Sequence, residues 1–482
     1  MLFNSISYAC FLPVVFLLYW FATGKSLKWQ NILLLIASYV FYGTWDYRFL
    51  FLLMFSTFLD YFTGIRIHEA GTRKRKRIWL WLSITVNLGF LGVFKYFNFF
   101  ADSVADALSL VGLHADLVTL KVILPVGISF YTFHGLSYVI DLYNDRIKPE
   151  RSFINYAVFV SFFPLLVAGP IERATHLLPQ VIKKREFDAQ KAVDGLKQML
   201  WGFFKKMVIA DNCAGFANEI FNHSSDYPGS TLVIGALFFA FQIYCDFSGY
   251  SDIAIGTAKL FGIDLLRNFA FPYFARDIAE FWRRWHISLT TWFRDYLYIP
   301  LGGSRGGKWM SARNTFIVFL VSGFWHGANW TFIVWGFLNA LYFMPLLLMH
   351  KNRQNLDIVA KGKMLPSFRE FSGMLATFIL TLFAWIFFRA SNVKHALNYI
   401  GEIFSGSIIQ KPIFHNMDKV WLLVILLAFF MIIEWLGRED QYAIQRTVIR
   451  LPKPARWAFY YIMTMVIFLF AGKEQVFIYF QF

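Results

Sequence analysis

Apolar runs long enough to cross a bilayer, about 20 helical residues each, recur along almost the whole chain. They lie near 6–23, 29–45, 47–65, 78–100, 121–143, 231–262, 314–349, 371–388, 420–436 and 457–471. The stretch 314–349 has room for two passes, so the pattern predicts about 11 spans. Between them the polar positions are unevenly charged. Residues 66–77 hold Arg66, Arg73, Lys74, Arg75, Lys76 and Arg77 against Glu69 alone, whereas 101–120 holds Asp102, Asp106 and Asp116 with no Lys or Arg. Basic loops stay on the cytoplasmic side, which puts 66–77 inside and 101–120 outside. Counting back sets Lys25 and Lys28 inside and the N-terminus outside. Counting forward sets 144–152, 263–313, 350–370 and 437–456 inside and the C-terminus outside.

Two stretches break this alternation. Residues 153–170 are apolar, yet both flanks are basic, the second with Lys183, Lys184, Arg185, Lys205 and Lys206. Pro164 and the Gly169-Pro170 pair interrupt a helix there, which predicts a re-entrant or broken element, tolerable at membrane depth only when buried in protein or lining a cavity. Residues 187–206 mix apolar and Lys positions at helical spacing and read as an interfacial amphipathic helix. No internal repeat or low-complexity linker is visible. The expected fold is all-α, a polytopic transmembrane helical bundle forming one domain over 1–482.

Composition agrees with the pattern. Hydrophobic residues reach 57% and charged residues fall to 16%, against about 45–50% and 25% in globular chains. Disorder, collagen-like repeats and a disulfide scaffold are excluded, and so little charge cannot cover a soluble monomer of 482 residues. The net charge of +16 fits nucleic acid in a soluble protein but cytoplasmic loops in a membrane protein. Cys10, Cys213 and Cys245 lie far apart with no CxxC spacing, which supports neither a zinc site nor a disulfide framework. The first apolar stretch has no basic leader or small-residue cleavage site before or after it and is expected to be a retained span.

Chemistry can sit where the apolar pattern is broken. Asp246 and Asp252 fall in Tyr-Cys-Asp-Phe-Ser-Gly-Tyr-Ser-Asp, residues 244–252, inside the run 231–262. Carboxylates at that depth face a cavity or a partner, or they belong to a hydrogen-bond network between helices. Residues 281–303 are too polar to span and too aromatic for a solvated loop. There Arg283, Arg284 and Arg294 either anchor a helix among lipid headgroups or hold phosphate oxygens of a donor, and Asp295 can pair with any of them. The sharpest feature is Gly-Phe-Trp-His-Gly-Ala-Asn-Trp, residues 323–330, because His326 lies midway through 36 residues free of charged side chains. Histidine exchanges protons near neutral pH, and Asn329 can orient the imidazole or donate to an oxyanion. A buried, hydrogen-bonded structural histidine is the alternative. His134 reads as structural, and His223, His350, His395 and His415 as solvated. No zinc spacing, GxSxG, P-loop or strand-borne GxGxxG occurs, which argues against a hydrolase fold or an ATP-driven pump.

These stretches resemble the membrane-bound O-acyltransferase family, and within it the bacterial alginate O-acetyltransferase branch. The resemblance is carried by Trp282-Arg-Arg-Trp-His286, by Trp292-Phe-Arg-Asp-Tyr-Leu-Tyr-Ile-Pro-Leu-Gly-Gly303 and by Trp325-His-Gly-Ala-Asn-Trp330. Gly169-Pro-Ile-Glu-Arg173, Tyr244–Asp252 and the C-terminal Phe477-Ile-Tyr-Phe-Gln-Phe482 extend it nearly end to end. The resemblance implies a bundle around a central funnel in the cell inner membrane, with its catalytic block over 244–330. It maps the family's invariant histidine to His326 and its second histidine to His286. It also implies an acyl group passed from a cytoplasmic donor to an extracytoplasmic polysaccharide, through a periplasmic or membrane-anchored esterase-like partner of the SGNH type.

On this basis His326 is expected as general base and Asn329 or a backbone N–H as oxyanion donor. His286 would position the donor or shuttle a proton. Arg283, Arg284 and Arg294 would hold the phosphates of acetyl-CoA, and Asp295, Trp325, Asp246 and Asp252 complete the candidate binding set. No metal, no bound cofactor and no nucleic acid are expected. Two alternatives are a D-alanyl transferase fed by a carrier-protein thioester and a polysaccharide-export channel without chemistry. The channel predicts internal repeats, and none is visible.

Overall fold

The computed structural model describes residues 1–113, 124–166, 169–473, 475, 477 and 478. Among them every regular element is helical. Six helices are long and apolar enough to cross a membrane: Tyr47–Glu69, the continuous run Arg73–Leu110, Gly229–Leu260, Trp330–Leu348, Phe368–Arg389 and Met417–Leu436. The described residues group into two compact units, one of residues 1–195 with 257–266 and one of 196–256 with 267–482.

In the first unit, Tyr47–Glu69, Arg73–Leu91 and Ile128–Tyr143 pack together. Their apolar faces enclose Asp60, whose Oδ1 accepts from Ser83 Oγ at 2.6 Å and Asn87 Nδ2 at 2.8 Å. Gly135 makes room for it, because a Cβ there would meet the second carboxyl oxygen. Residues 101–110, expected to lie in a loop, are helical. Asp102 and Asp106 lowered the local hydropathy but sit on a polar face, while Val104 and Leu108 continue the helical spacing. Asp116 lies outside the described residues, as does the start of the expected 121–143 span, whose helix is Ile128–Tyr143. The broken element is a short helix, Phe153–Ser161, ending before Pro164 as its ring demands. Phe162, Phe163, Leu165 and Leu166 after it are buried. His134 is also buried, its Nε2 accepting the Glu172 N–H at 3.1 Å.

The second unit corrects the reading of 187–206. The helix Ala189–Phe203 runs through a wide turn, Phe204–Ala210, directly into Asp211–Asn222. Lys205 and Lys206, taken from sequence as interfacial, are only 3% and 1% exposed. Lys205 Nζ pairs with Asp252 at 2.6 Å, and Lys206 Nζ pairs with Asp211 and Asp246 at 2.8 Å each. Spacing alone could not show this, since Asp246 and Asp252 lie on Gly229–Leu260. The two helices approach closely at Gly202 and Gly249, where a Cβ on either would press on the other's backbone carbonyl. The second oxygen of Asp246 accepts the Ile478 N–H at 2.8 Å, so the same carboxylate also holds Ile478.

The 314–349 stretch lies in two helices, Gly307–His326 and Trp330–Leu348, of which the second is long and apolar enough to cross a membrane. They cross at Gly323 and Gly336, each facing backbone of the other helix. Because Lys206 neutralises two buried carboxylates, Lys206→Met should cost about 3–5 kcal/mol, read as a lower melting midpoint in detergent. Lys206→Arg should lose much less.

Candidate active site

His286 stands at a break between two short helices. Asp277 caps Ile278–Arg284 by accepting the Glu280 N–H at 2.7 Å, and the chain then turns through His286 at φ 44°, ψ 53° into Ile287–Phe293. A residue other than glycine is uncommon in the left-handed region, and the strain of holding it there persists where surroundings enforce it. Here the enforcement is visible: the Ile287 N–H donates to Asn268 O at 2.9 Å, and Asn268 Oδ1 lies 3.1 Å from His286 Nδ1. The imidazole is 1% exposed and packs on Phe247, with ring centroids 4.6 Å apart. Burial pushes its pKa down to about 3, so the ring is neutral at physiological pH.

His326 is the last residue of its helix and is 4% exposed. Its ring lies 4.8 Å from Trp325, 5.1 Å from Trp335 and 5.3 Å from Phe388. Gly327 follows in extended backbone, and a Cβ there would strike the Phe332 ring. Trp325 also lies 6.2 Å from His286. The two histidines, 40 positions apart in the chain, therefore both contact one indole.

Asn329 is placed differently. Its Oδ1 accepts the Thr331 N–H at 3.0 Å, capping Trp330–Leu348, and its Nδ2 donates to Ser391 O at 3.0 Å. The geometry is that of an N-cap.

The three arginines separate. Arg283 and Arg294 line an open cleft of about 640 Å³, together with Arg353, Trp282, Ile287, Phe319, Phe343 and Leu347. Arg283 donates to the Asn352 and Asn355 carbonyls at 2.8 Å each, and Arg294 pairs with Asp295 at 2.7 Å while staying largely exposed. Arg284 is not among the cleft residues; it is held by Glu280 at 2.7 Å. Asp246 and Asp252 sit in the buried ion-pair network instead. Asp252 also lines a water-sized polar cavity of about 20 Å³ with Lys205, Ser251, Arg267, Asn268 and Glu434.

Sequence reasoning passed over Asn268, Glu434 and Arg353. Glu434 carried a usable signal, a carboxylate inside the 420–436 run; it accepts from Tyr244 Oη at 2.6 Å and Trp201 Nε1 at 3.1 Å. Asn268, in an unremarkable loop, carried none. Among the described residues no group of three or more His, Cys, Asp or Glu side chains is placed to hold a metal ion.

The profile of the membrane-bound O-acyltransferase family matches residues 35–390 and so takes in both histidines. The chain belongs to that family. It is an acyltransferase and a multi-pass membrane protein. It is 40% identical over 396 residues to the probable alginate O-acetylase AlgI of Pseudomonas aeruginosa, covering 82% of this chain and 73% of that protein. It is 37% identical over 429 residues to the peptidoglycan O-acetyltransferase of Helicobacter pylori, covering 83% and 79%. The teichoic acid D-alanyltransferase of Bacillus subtilis is 27% identical over 287 residues, covering 56% and 70%.

The Asn329 cap generates a prediction that separates it from an oxyanion donor. Asn329→Asp keeps an N-cap acceptor and should leave acyl transfer within a few-fold of normal, whereas loss of an oxyanion donor would cost about 100–1,000-fold. Asn329→Ala should lower stability by about 1 kcal/mol, seen in thermal unfolding in detergent.

Proposed function

We propose that this acyltransferase takes an acetyl group from acetyl-CoA on the cytoplasmic side and delivers it for O-acetylation of an extracytoplasmic polysaccharide. The observation that carries the reading is the pair of buried histidines sharing Trp325, with an arginine-bearing cleft lined by residues on both sides of His286 in the chain, Arg283 before it and Ile287 and Arg294 after it. The relatives named for alginate and peptidoglycan O-acetylation match more of this chain, at higher identity, than the D-alanyl relative. They support acetyl transfer to a sugar polymer over D-alanyl transfer from a carrier protein.

In this reading Arg283 and Arg294 hold donor phosphates, guanidinium forks being matched to phosphate oxygens. The apolar lining of the cleft takes the rest of the donor's arm. His326 accepts the proton of the attacking hydroxyl as its oxygen bonds to the acyl carbon. The carbon–sulfur bond then breaks and the thiolate leaves, taking up a proton. With Asn329 engaged as a cap, the backbone N–H groups of the 327–329 turn are the donors nearest the developing oxyanion. The acceptor hydroxyl belongs to the polymer or to an esterase-like SGNH partner that relays the group outside.

The proposed topology keeps both termini outside and gains one crossing. The sequence count placed 144–152 and 263–313 on the same side with one full span between them, an odd number. The uninterrupted run Ala189–Asn222, about 50 Å at 1.5 Å per residue, supplies the second.

Two measurements test the function. Purified protein in lipid nanodiscs with labelled acetyl-CoA should release CoA and pass label to an acceptor, and His326→Ala should abolish this while inserting normally. Retained turnover in that variant would remove His326 from the chemistry. Turnover with an acyl-loaded carrier protein but not acetyl-CoA would favour the D-alanyl reading; polymer flux without turnover would favour a channel. Arg283→Ala and Arg294→Ala should each raise the KM for acetyl-CoA several-fold, most strongly at low salt, with kcat less affected.

A further inference from the structure

Asn268 belongs to none of the motifs above, yet it is fully buried and touches three consecutive residues at the His286 turn. Its backbone carbonyl accepts the Ile287 N–H at 2.9 Å. Its Oδ1 accepts the Ser288 hydroxyl at 2.9 Å and faces the Ser288 N–H at 3.4 Å and His286 Nδ1 at 3.1 Å. Its Nδ2 donates to Ser251 Oγ at 3.1 Å. A backbone N–H can only donate, so the amide atom facing Ser288 must be the oxygen, and the orientation of the amide follows. An oxygen can only accept, so His286 Nδ1 must carry the hydrogen.

We propose that Asn268 is a positioning residue that holds His286 as the Nδ1–H tautomer and leaves Nε2 as its proton-accepting nitrogen. The same side chain clamps the residue two after His286 and its main chain clamps the residue one after. One residue thus secures both the left-handed backbone and the ring. Among the described residues, the rings of Phe247, Phe269 and Trp325, all uncharged, also pack on it. On the other side of Asn268, around the small polar cavity, stand Lys205, Asp252, Arg267 and Glu434. A neutral amide between those charges and the imidazole keeps the ring uncharged, where a carboxylate would favour the imidazolium. This inference rests on the reading of His286 as a proton-handling group of the acyl transfer.

The test uses the full chain in lipid nanodiscs with nitrogen-15 histidine and solid-state NMR. The difference spectrum against His286→Gln isolates the signals of His286. The expected result is a protonated Nδ1 and an unprotonated Nε2, giving way to a mixture of tautomers in Asn268→Ala. A protonated Nε2 in the unaltered chain, or no change in Asn268→Ala, would overturn the proposal. This readout needs no turnover, so a protein that shows the tautomer but fails to transfer acetyl would strike the functional reading alone. Kinetically, Asn268→Ala should lower kcat by about 10–100-fold with little change in KM. Asn268→Asp can still accept from Nδ1–H; it should recover part of that loss and move the acid limb of the kcat profile up by about one pH unit or more. Equal losses in both variants with an unshifted profile would mean packing only and would overturn it. Size-exclusion profiles of both variants verify folding.

Discussion

A charge carried into apolar surroundings must be met by an opposite charge or by donors, and that requirement organises the helices around Gly229–Leu260. Asp246 and Asp252 project from one helix, Lys205, Lys206 and Asp211 from the run beside it, and the pairs hold the two in register. Glu434 reaches in from Met417–Leu436 and is satisfied by Tyr244 and Trp201. Ile478 is held through the same logic, its N–H donating to Asp246. A network of this kind is a poor source of net stability compared with apolar packing, but it is intolerant of other arrangements. Asn268 stands at its edge, which is how an ion-paired scaffold comes to fix the orientation of a histidine.

The sequence made the elements legible where composition alone decides them. The break at Pro164, the two helices of the 314–349 stretch and the helical class follow from local rules that neighbours do not overrule. The misreadings share one cause. Hydropathy treats a charge as a mark of water, so Asp102 and Asp106 ended a helix too early and Lys205 and Lys206 were placed at an interface although both are buried. In each case the missing information was a partner or a face, and neither is written in a window of neighbouring residues.

The candidate site divides the same way. His286 and His326 stood out because a titratable ring in apolar sequence is costly, and both are buried. Their common contact with Trp325 was not legible, since it depends on how Ile278–Phe293 meets Gly307–His326. The arginines show the limit of reading charge as function. Arg283, Arg284 and Arg294 look alike in sequence, but Glu280 lies one turn before Arg284 and takes it out of the cleft. The Glu280–Arg284 spacing was visible and is the ordinary helical pairing; its consequence for donor binding needed the cleft.

Burial that keeps an imidazole neutral also makes it a poor place to leave a charge. A proton taken up by either histidine must be passed on or balanced quickly, because the described surroundings include the rings of Phe247, Phe269, Trp335 and Phe388. On the proposed reading this is an advantage. An acetyl group is small and uncharged, so it can move past Trp325 without a counter-ion, whereas the donor's phosphates stay with the arginines of the cleft. Apolar walls around neutral bases thus let the acyl group through and hold back ions and water, as a transfer across a membrane must. At His286, whose ring burial keeps neutral, the direction of proton movement is set by which nitrogen bears the hydrogen, and on the proposed reading that is decided by one buried amide.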